Sequence, residues 1–107
     1  MSEKIFKTFE EFYPYYLSEH RQTGTRVTHF IGTSLFFIFV IMAIVKLQPL
    51  FFLYGVITAY GFAWIGHFFI EKNKPATFQY PWMSLKGDFK LYFQILSGKE
   101  GFTGNNL

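Results

Sequence analysis

At 107 residues the chain is long enough for one domain, and half of its residues are hydrophobic. Sixteen phenylalanines and seven tyrosines are more aromatic surface than a soluble core of this size hides, which points to lipid. The lack of cysteine excludes disulfide frameworks and thiolate metal sites, and a net charge of +3 with no basic block argues against nucleic acid as a partner.

Thr8 and Glu11 have the spacing of a capping box, and Phe9, Phe12, Tyr16 and Leu17 recur at helical intervals. Together they predict a short amphipathic helix over about 8–22, although Pro14 argues against an unbroken one. Mixed polar sequence precedes the first apolar stretch, so that stretch is not read as a cleavable signal. Gly24 is expected to end the first segment, and Thr25 or Thr28 to cap a helix over about 26–46. Lys46-Leu47-Gln48-Pro49 breaks it, and Pro49 suits the start of a second helix reaching about Glu71. No formal charge lies between Arg26 and Lys46 or between Lys46 and Glu71, so each stretch matches the roughly 30 Å of hydrocarbon in a bilayer.

Glu71-Lys72-Asn73-Lys74-Pro75 returns the chain to water, and Pro81 is expected to close an aromatic loop. Trp64, Tyr80 and Trp82 suit an interfacial belt. Phe89, Tyr92, Phe93 and Leu96 mark a third amphipathic helix able to lie on the membrane surface, and a glycine- and asparagine-interrupted tail over about 98–107 is expected to be loose. The predicted fold class is therefore all-α: a hairpin of two transmembrane helices flanked by N- and C-terminal amphipathic helices, one membrane-embedded domain over 1–107. Nine of the ten Lys and Arg residues lie away from the hairpin turn, which places both termini of this multi-pass protein in the cytoplasm. The membrane is the inner one if the source is bacterial and the endoplasmic reticulum if it is eukaryotic. Two crossings bury little helix surface, so homodimerisation or close packing of the flanking helices is expected.

The histidines carry the chemistry. His29 lies seventeen residues before Lys46 and His67 eighteen after Pro49, so an antiparallel pair of helices brings them to similar depth. Thr25, Thr28, His29, Gly32 and Thr33 share one face, and Tyr60, Ala63, Trp64, His67 and Glu71 share another. If the chain folds back near Gly24, His20 joins them, with Glu71 and Glu19 as nearby carboxylates and Glu71 placed either to ligate or to orient His67. Imidazole with carboxylate suits iron, zinc, copper or nickel better than magnesium or calcium.

The segments His20-x8-His29-x2-Gly32-Thr33, Gly66-His67-x3-Glu71-Lys72-Asn73-Lys74-Pro75-Ala76 and Ser84-Leu85-x2-Asp88 resemble the family once labelled domain of unknown function 962. Its fungal members are 2-hydroxy fatty acid dioxygenases. The resemblance implies an Fe(II)-dependent membrane enzyme that shortens a 2-hydroxy fatty acid by one carbon with dioxygen. It implies His20, His29 and His67 as metal ligands and Glu71 as the catalytic acidic residue following the last of them. On that reading Arg21, Arg26, Lys72 or Lys74 would hold the substrate carboxylate, and the acyl tail would lie among Phe36, Phe37, Phe62 and Phe69. Two alternatives remain beside it: a haem ligated by two of the histidines for electron transfer, and a non-catalytic membrane scaffold.

Overall fold

The computed structural model describes residues 6–103. The first helix, α1 (Phe9–Ser18), starts with half of the capping box: the Thr8 hydroxyl accepts from the Glu11 N–H at 3.2 Å, while the Glu11 carboxylate accepts from the Lys7 N–H at 3.1 Å instead of that of Thr8. It runs unbroken through Pro14, whose ring faces outward. It ends at Ser18, short of the expected 22, so His20 sits in a connecting loop instead of on the helix.

The long helix α2 (Thr23–Val45) begins after Gln22, which holds extended backbone without a side-chain cap. Thr25 and Thr28 are not caps. Both lie inside the helix and serve its packing: Thr25 donates to the Gly66 carbonyl at 3.4 Å, and Thr28 to the Thr25 carbonyl at 2.9 Å. A short turn follows, in which Leu47 adopts the left-handed conformation at φ 52°. The chain then reverses into α3 (Leu50–Ile65), which continues as a π-helical turn over Gly66–Glu71. Lys72, at φ 64°, ends that turn, and the Asn73 N–H closes it on the His67 carbonyl at 2.9 Å. After a single 3₁₀ turn (Ala76–Phe78), Pro81 opens α4 (Pro81–Leu96) from its first turn, where proline costs no hydrogen bond, rather than closing a loop.

The described residues are thus all helix and loop, with no strand. α2 and α3 pack antiparallel, and small residues bring their backbones together. A Cβ on Gly32 would lie 2.9 Å from the Phe62 Cβ, and one on Gly55 3.0 Å from the Phe39 Cβ. Both spans, Thr23–Val45 and Leu50–Glu71, are long and apolar enough to cross a membrane. Their outer faces carry exposed Ile38, Ile41, Ile44 and Ile57, an arrangement that suits lipid better than water.

The true core lies at the open end of the hairpin. Phe12, Tyr13 and Tyr16 of α1, Ala76 of the 3₁₀ turn and Leu91 of α4 are buried together there, with Phe6, Phe9, Tyr15 and Tyr80 packed around them. The expected loose tail is anchored as far as it is described: Glu100 and Gly101 bind the Arg26 guanidinium, and the Phe102 ring lies 5.2 Å from that of Phe30. A buried cation demands such partners, and the tail supplies them. The remainder of that expected segment, 104–107, lies outside the described residues.

Candidate metal centre

Three elements deliver one imidazole each to the same point beneath the α1/α4 cap. His29 comes from the second turn of α2, His67 from the π turn, and His20 from the loop that folds back over the hairpin end. Ring centroids are 4.5 Å apart for His20 and His29, 4.5 Å for His20 and His67, and 5.0 Å for His29 and His67. One nitrogen from each lies within 4.8 Å of the others. No other group of this kind occurs among the described residues.

Which nitrogen faces inward follows from what the other one does. The His20 Nδ1 lies 2.7 Å from the Tyr16 carbonyl, so it is the protonated nitrogen and its Nε2 is a free lone pair. The His67 Nδ1 likewise meets the Asn73 side-chain oxygen at 2.8 Å. The His29 Nδ1 lies 3.7 Å from the Asp88 carboxyl, beyond hydrogen-bond range. The Nε2 atoms of His20 and His29 are buried with no partner, an arrangement that costs free energy unless something binds there.

Local sequence explains the placement. At Gly66 the two helices nearly touch, for a Cβ there would lie 2.5 Å from the Thr28 Oγ1. The π turn that starts at this glycine widens the helix just where His67 must rotate towards His29, and such turns concentrate at functional sites. Gly87 does the same for α4. A Cβ there would lie 2.9 Å from the Tyr16 ring, which in turn stacks on His20 with centroids 4.1 Å apart.

The surroundings are protected from water. Tyr16 donates its hydroxyl to Asp88, and both lie beside the histidines. Burial pushes the Asp88 carboxyl up to about 7, partly opposed by the Tyr16 hydrogen bond. Burial and the two neighbouring imidazoles push His20 well below the usual histidine value, which keeps its lone pair available near neutrality. Ser84, 2% exposed, turns a hydroxyl with no partner into the same space. That space measures about 10 Å³. It takes an ion or a water molecule, and three imidazoles converge on it where a haem ligated from both sides would use two.

A second cavity, of about 270 Å³, opens beside the triad. His29, Thr33, Tyr60 and Asp88 form its polar end; Phe36, Phe52, Val56, Ala59 and Phe89 line the rest. Of the phenylalanines expected around an acyl tail, Phe36 lines this cavity and Phe37, Phe62 and Phe69 do not. Phe62 is committed to the contact with Gly32, Phe37 packs on Phe89 and Phe93, and Phe69 is exposed.

The charged candidates separate. Glu71 does not join the imidazoles: its carboxylate accepts from the Gln22 N–H, and Asn73 takes the position beside His67. Arg21, Lys72 and Lys74 are exposed. Arg26 is fully buried, with its Nε on the His20 carbonyl at 2.7 Å and its Nη1 on Glu100 and on the Gly101 carbonyl, both at 2.9 Å. Its Nη2 has no partner, and it shares a small space with His29 and Asp88. The sequence by itself assigns no role to Asp88 or Asn73. Asp88 had a signal, being the sole acid between Glu71 and Glu100 and falling three and four residues from Leu91 and Ser84 on the buried face.

Comparison with curated proteins and with solved structures gives no match. The family described as 2-hydroxy-palmitic acid dioxygenase Mpo1-like matches residues 6–100, a range that takes in all three histidines, Asn73, Ser84 and Asp88. The chain therefore belongs to the 2-hydroxy-palmitic acid dioxygenase Mpo1-like family.

Proposed function

We propose that the protein is a membrane-embedded, Fe(II)-dependent dioxygenase that removes one carbon from a 2-hydroxy fatty acid, working at the cytoplasmic interface of its membrane. The observation that carries this reading is the convergence of His20, His29 and His67 at the polar end of an apolar cavity, with two inward nitrogens buried and unpartnered. Family membership supports the substrate class. An all-nitrogen donor set of this kind suits a first-row transition ion.

Iron(II) held by the three imidazoles would supply a centre at which dioxygen and the substrate's carboxylate and 2-hydroxyl meet. The overall change balances without a further reactant: the C1–C2 bond breaks, C1 leaves as carbon dioxide and C2 becomes the new carboxyl, while dioxygen accepts the four electrons released, one of its oxygen atoms supplying the extra oxygen of these products and the other leaving as water. The chain's own groups do the positioning. The Tyr16 carbonyl and the Asn73 side chain hold the outer nitrogens of His20 and His67, and the Asp88 carboxyl faces that of His29 at 3.7 Å. Of the four basic residues considered, Arg26 alone stands beside the triad, and its free Nη2 is the donor for the substrate carboxylate. Pro75, Ala76 and Thr77 roof the centre and exclude bulk water.

Anaerobic reconstitution with Fe(II), followed by 2-hydroxypalmitate and oxygen, tests the reading. Pentadecanoate is the expected product, and it should vanish in His20→Ala, His29→Ala and His67→Ala. Stoichiometric iron with no shortened acid would refute the activity.

A further inference from the structure

The cavity beside the triad has an order to its lining. The polar side chains of its lining are those of His29, Thr33, Tyr60 and Asp88, at the end next to the imidazoles. Away from them every wall is hydrocarbon or aromatic: Phe36 from α2, Phe52, Val56 and Ala59 from α3, Leu85 and Phe89 from α4. This gradient matches a ligand with one polar end and a long apolar body, entering head first towards the metal centre.

Depth follows from the helix. Along α3 the lining runs from Ala63 beside the triad down to Phe52 near the hairpin turn, eleven residues or about 16 Å. One leaflet of a bilayer is about 15 Å, half of its hydrocarbon thickness. The cavity therefore has about the depth of one leaflet, and its lining follows the direction of the spans. An aromatic floor lies at its lower end. The Phe36 ring meets Phe52 edge-on with centroids 5.7 Å apart, and Phe89 at 6.0 Å. Above the floor, Val56 and Ala59 are the small side chains that leave the bore open.

We infer that Phe52, seated against Phe36, is the residue that sets the acyl chain length the protein accepts, with Val56 and Ala59 fixing the width of the channel above it. The inference rests on the proposed fatty-acid reading and adds to it a ruler built from named side chains. Each methylene that loses its place in an apolar channel weakens binding by about fourfold. Val56→Phe fills the bore partway down, so it should penalise long chains and spare short ones. Phe52→Ala removes the floor, and because Phe52 is half exposed its loss leaves the helix pair intact.

Two measurements on the full chain in nanodiscs test this. The first is turnover of 2-hydroxylaurate, 2-hydroxypalmitate and 2-hydroxyarachidate by the iron-loaded protein. The second is displacement of the fluorescent fatty acid cis-parinaric acid by the same three acids from metal-free protein, which needs no chemistry. Val56→Phe should lower the palmitate-to-laurate preference by about tenfold or more in both, and Phe52→Ala should raise the arachidate-to-palmitate preference. Equal loss across all lengths, or no change in either ratio, would overturn the ruler. Val56→Leu, a smaller obstruction at the same depth, serves if Val56→Phe does not fold, and should lower the palmitate-to-laurate preference in the same direction. A shift in binding preference with no turnover by any acid would sustain the ruler and reject the oxygenase; turnover with unchanged length preference would do the reverse.

Discussion

The helices nearly touch at Gly66, at the base of the metal centre, so Gly66→Ala offers a quantitative test of how packing positions the histidines. A Cβ at Gly66 would stand 2.5 Å from the Thr28 Oγ1, 3.1 Å from the Thr25 Cγ2 and 3.3 Å from the Thr25 Cα. The first contact is relieved by rotating the Thr28 hydroxyl, which breaks its 2.9 Å hydrogen bond to the Thr25 carbonyl. The other two are not relieved this way, because Thr25 is wholly buried and one of the atoms is backbone. Overpacking of this kind costs about 1–3 kcal/mol, and the better helix propensity of alanine returns about 1 kcal/mol. The net expectation is destabilisation of about 1 kcal/mol, with the helices separating by a few tenths of an ångström beside His67. Thr28→Ala removes the Oγ1, so the double variant should be more stable than the sum of the singles by about 1 kcal/mol. Denaturant unfolding in mild detergent, followed by circular dichroism, measures all four proteins, and metal content measures the site. A Gly66→Ala protein at least as stable as the parent, or strictly additive variants, would refute the account of the crossing.

Asn73→Ala should leave the fold in place and weaken metal binding by about tenfold to a hundredfold, because the His67 ring loses the acceptor that fixes its tautomer, whereas Asn73→Asp keeps an acceptor and should restore most of it. Titration calorimetry with Zn(II) as the probe metal reads both, and equal affinities for the parent and Asn73→Ala would sink the assignment. Leu47 sits exposed in the hairpin turn at φ 52°, where a Cβ is strained, so Leu47→Gly should stabilise the protein by about 0.5–1 kcal/mol while Leu47→Ala should not. Thermal unfolding in detergent distinguishes them, and a glycine variant no more stable than the alanine one would show that the turn carries no such strain.

The all-helical hairpin could be read from the chain because its signals are local. Long intervals without charge, a proline at the start of a helix and a capping pair at Thr8 and Glu11 act within a turn or two of themselves. The equal depth of His29 and His67 is likewise a count along two rods of known rise, and the small residues of the α2 face announce a close neighbour. The partners of each ring were a different matter. Glu71 has the right helical spacing to serve His67, but the π turn and the left-handed Lys72 rotate the chain so that Asn73 arrives there and Glu71 turns to the Gln22 N–H. Nothing in a lysine foretells a positive φ. His20 depended on where α1 stops, Asp88 on how α4 docks, and the cavity on which aromatic rings three separate helices leave facing one another. Periodicity reports which side of a helix is apolar; it carries no information on what the opposite helix presents. The pattern of charge and spacing therefore determined that two rods bring two imidazoles level. The packing of α1 and α4 against their open end decided which atoms meet there, because those contacts join residues far apart in the chain and exist only once the backbone has closed around them.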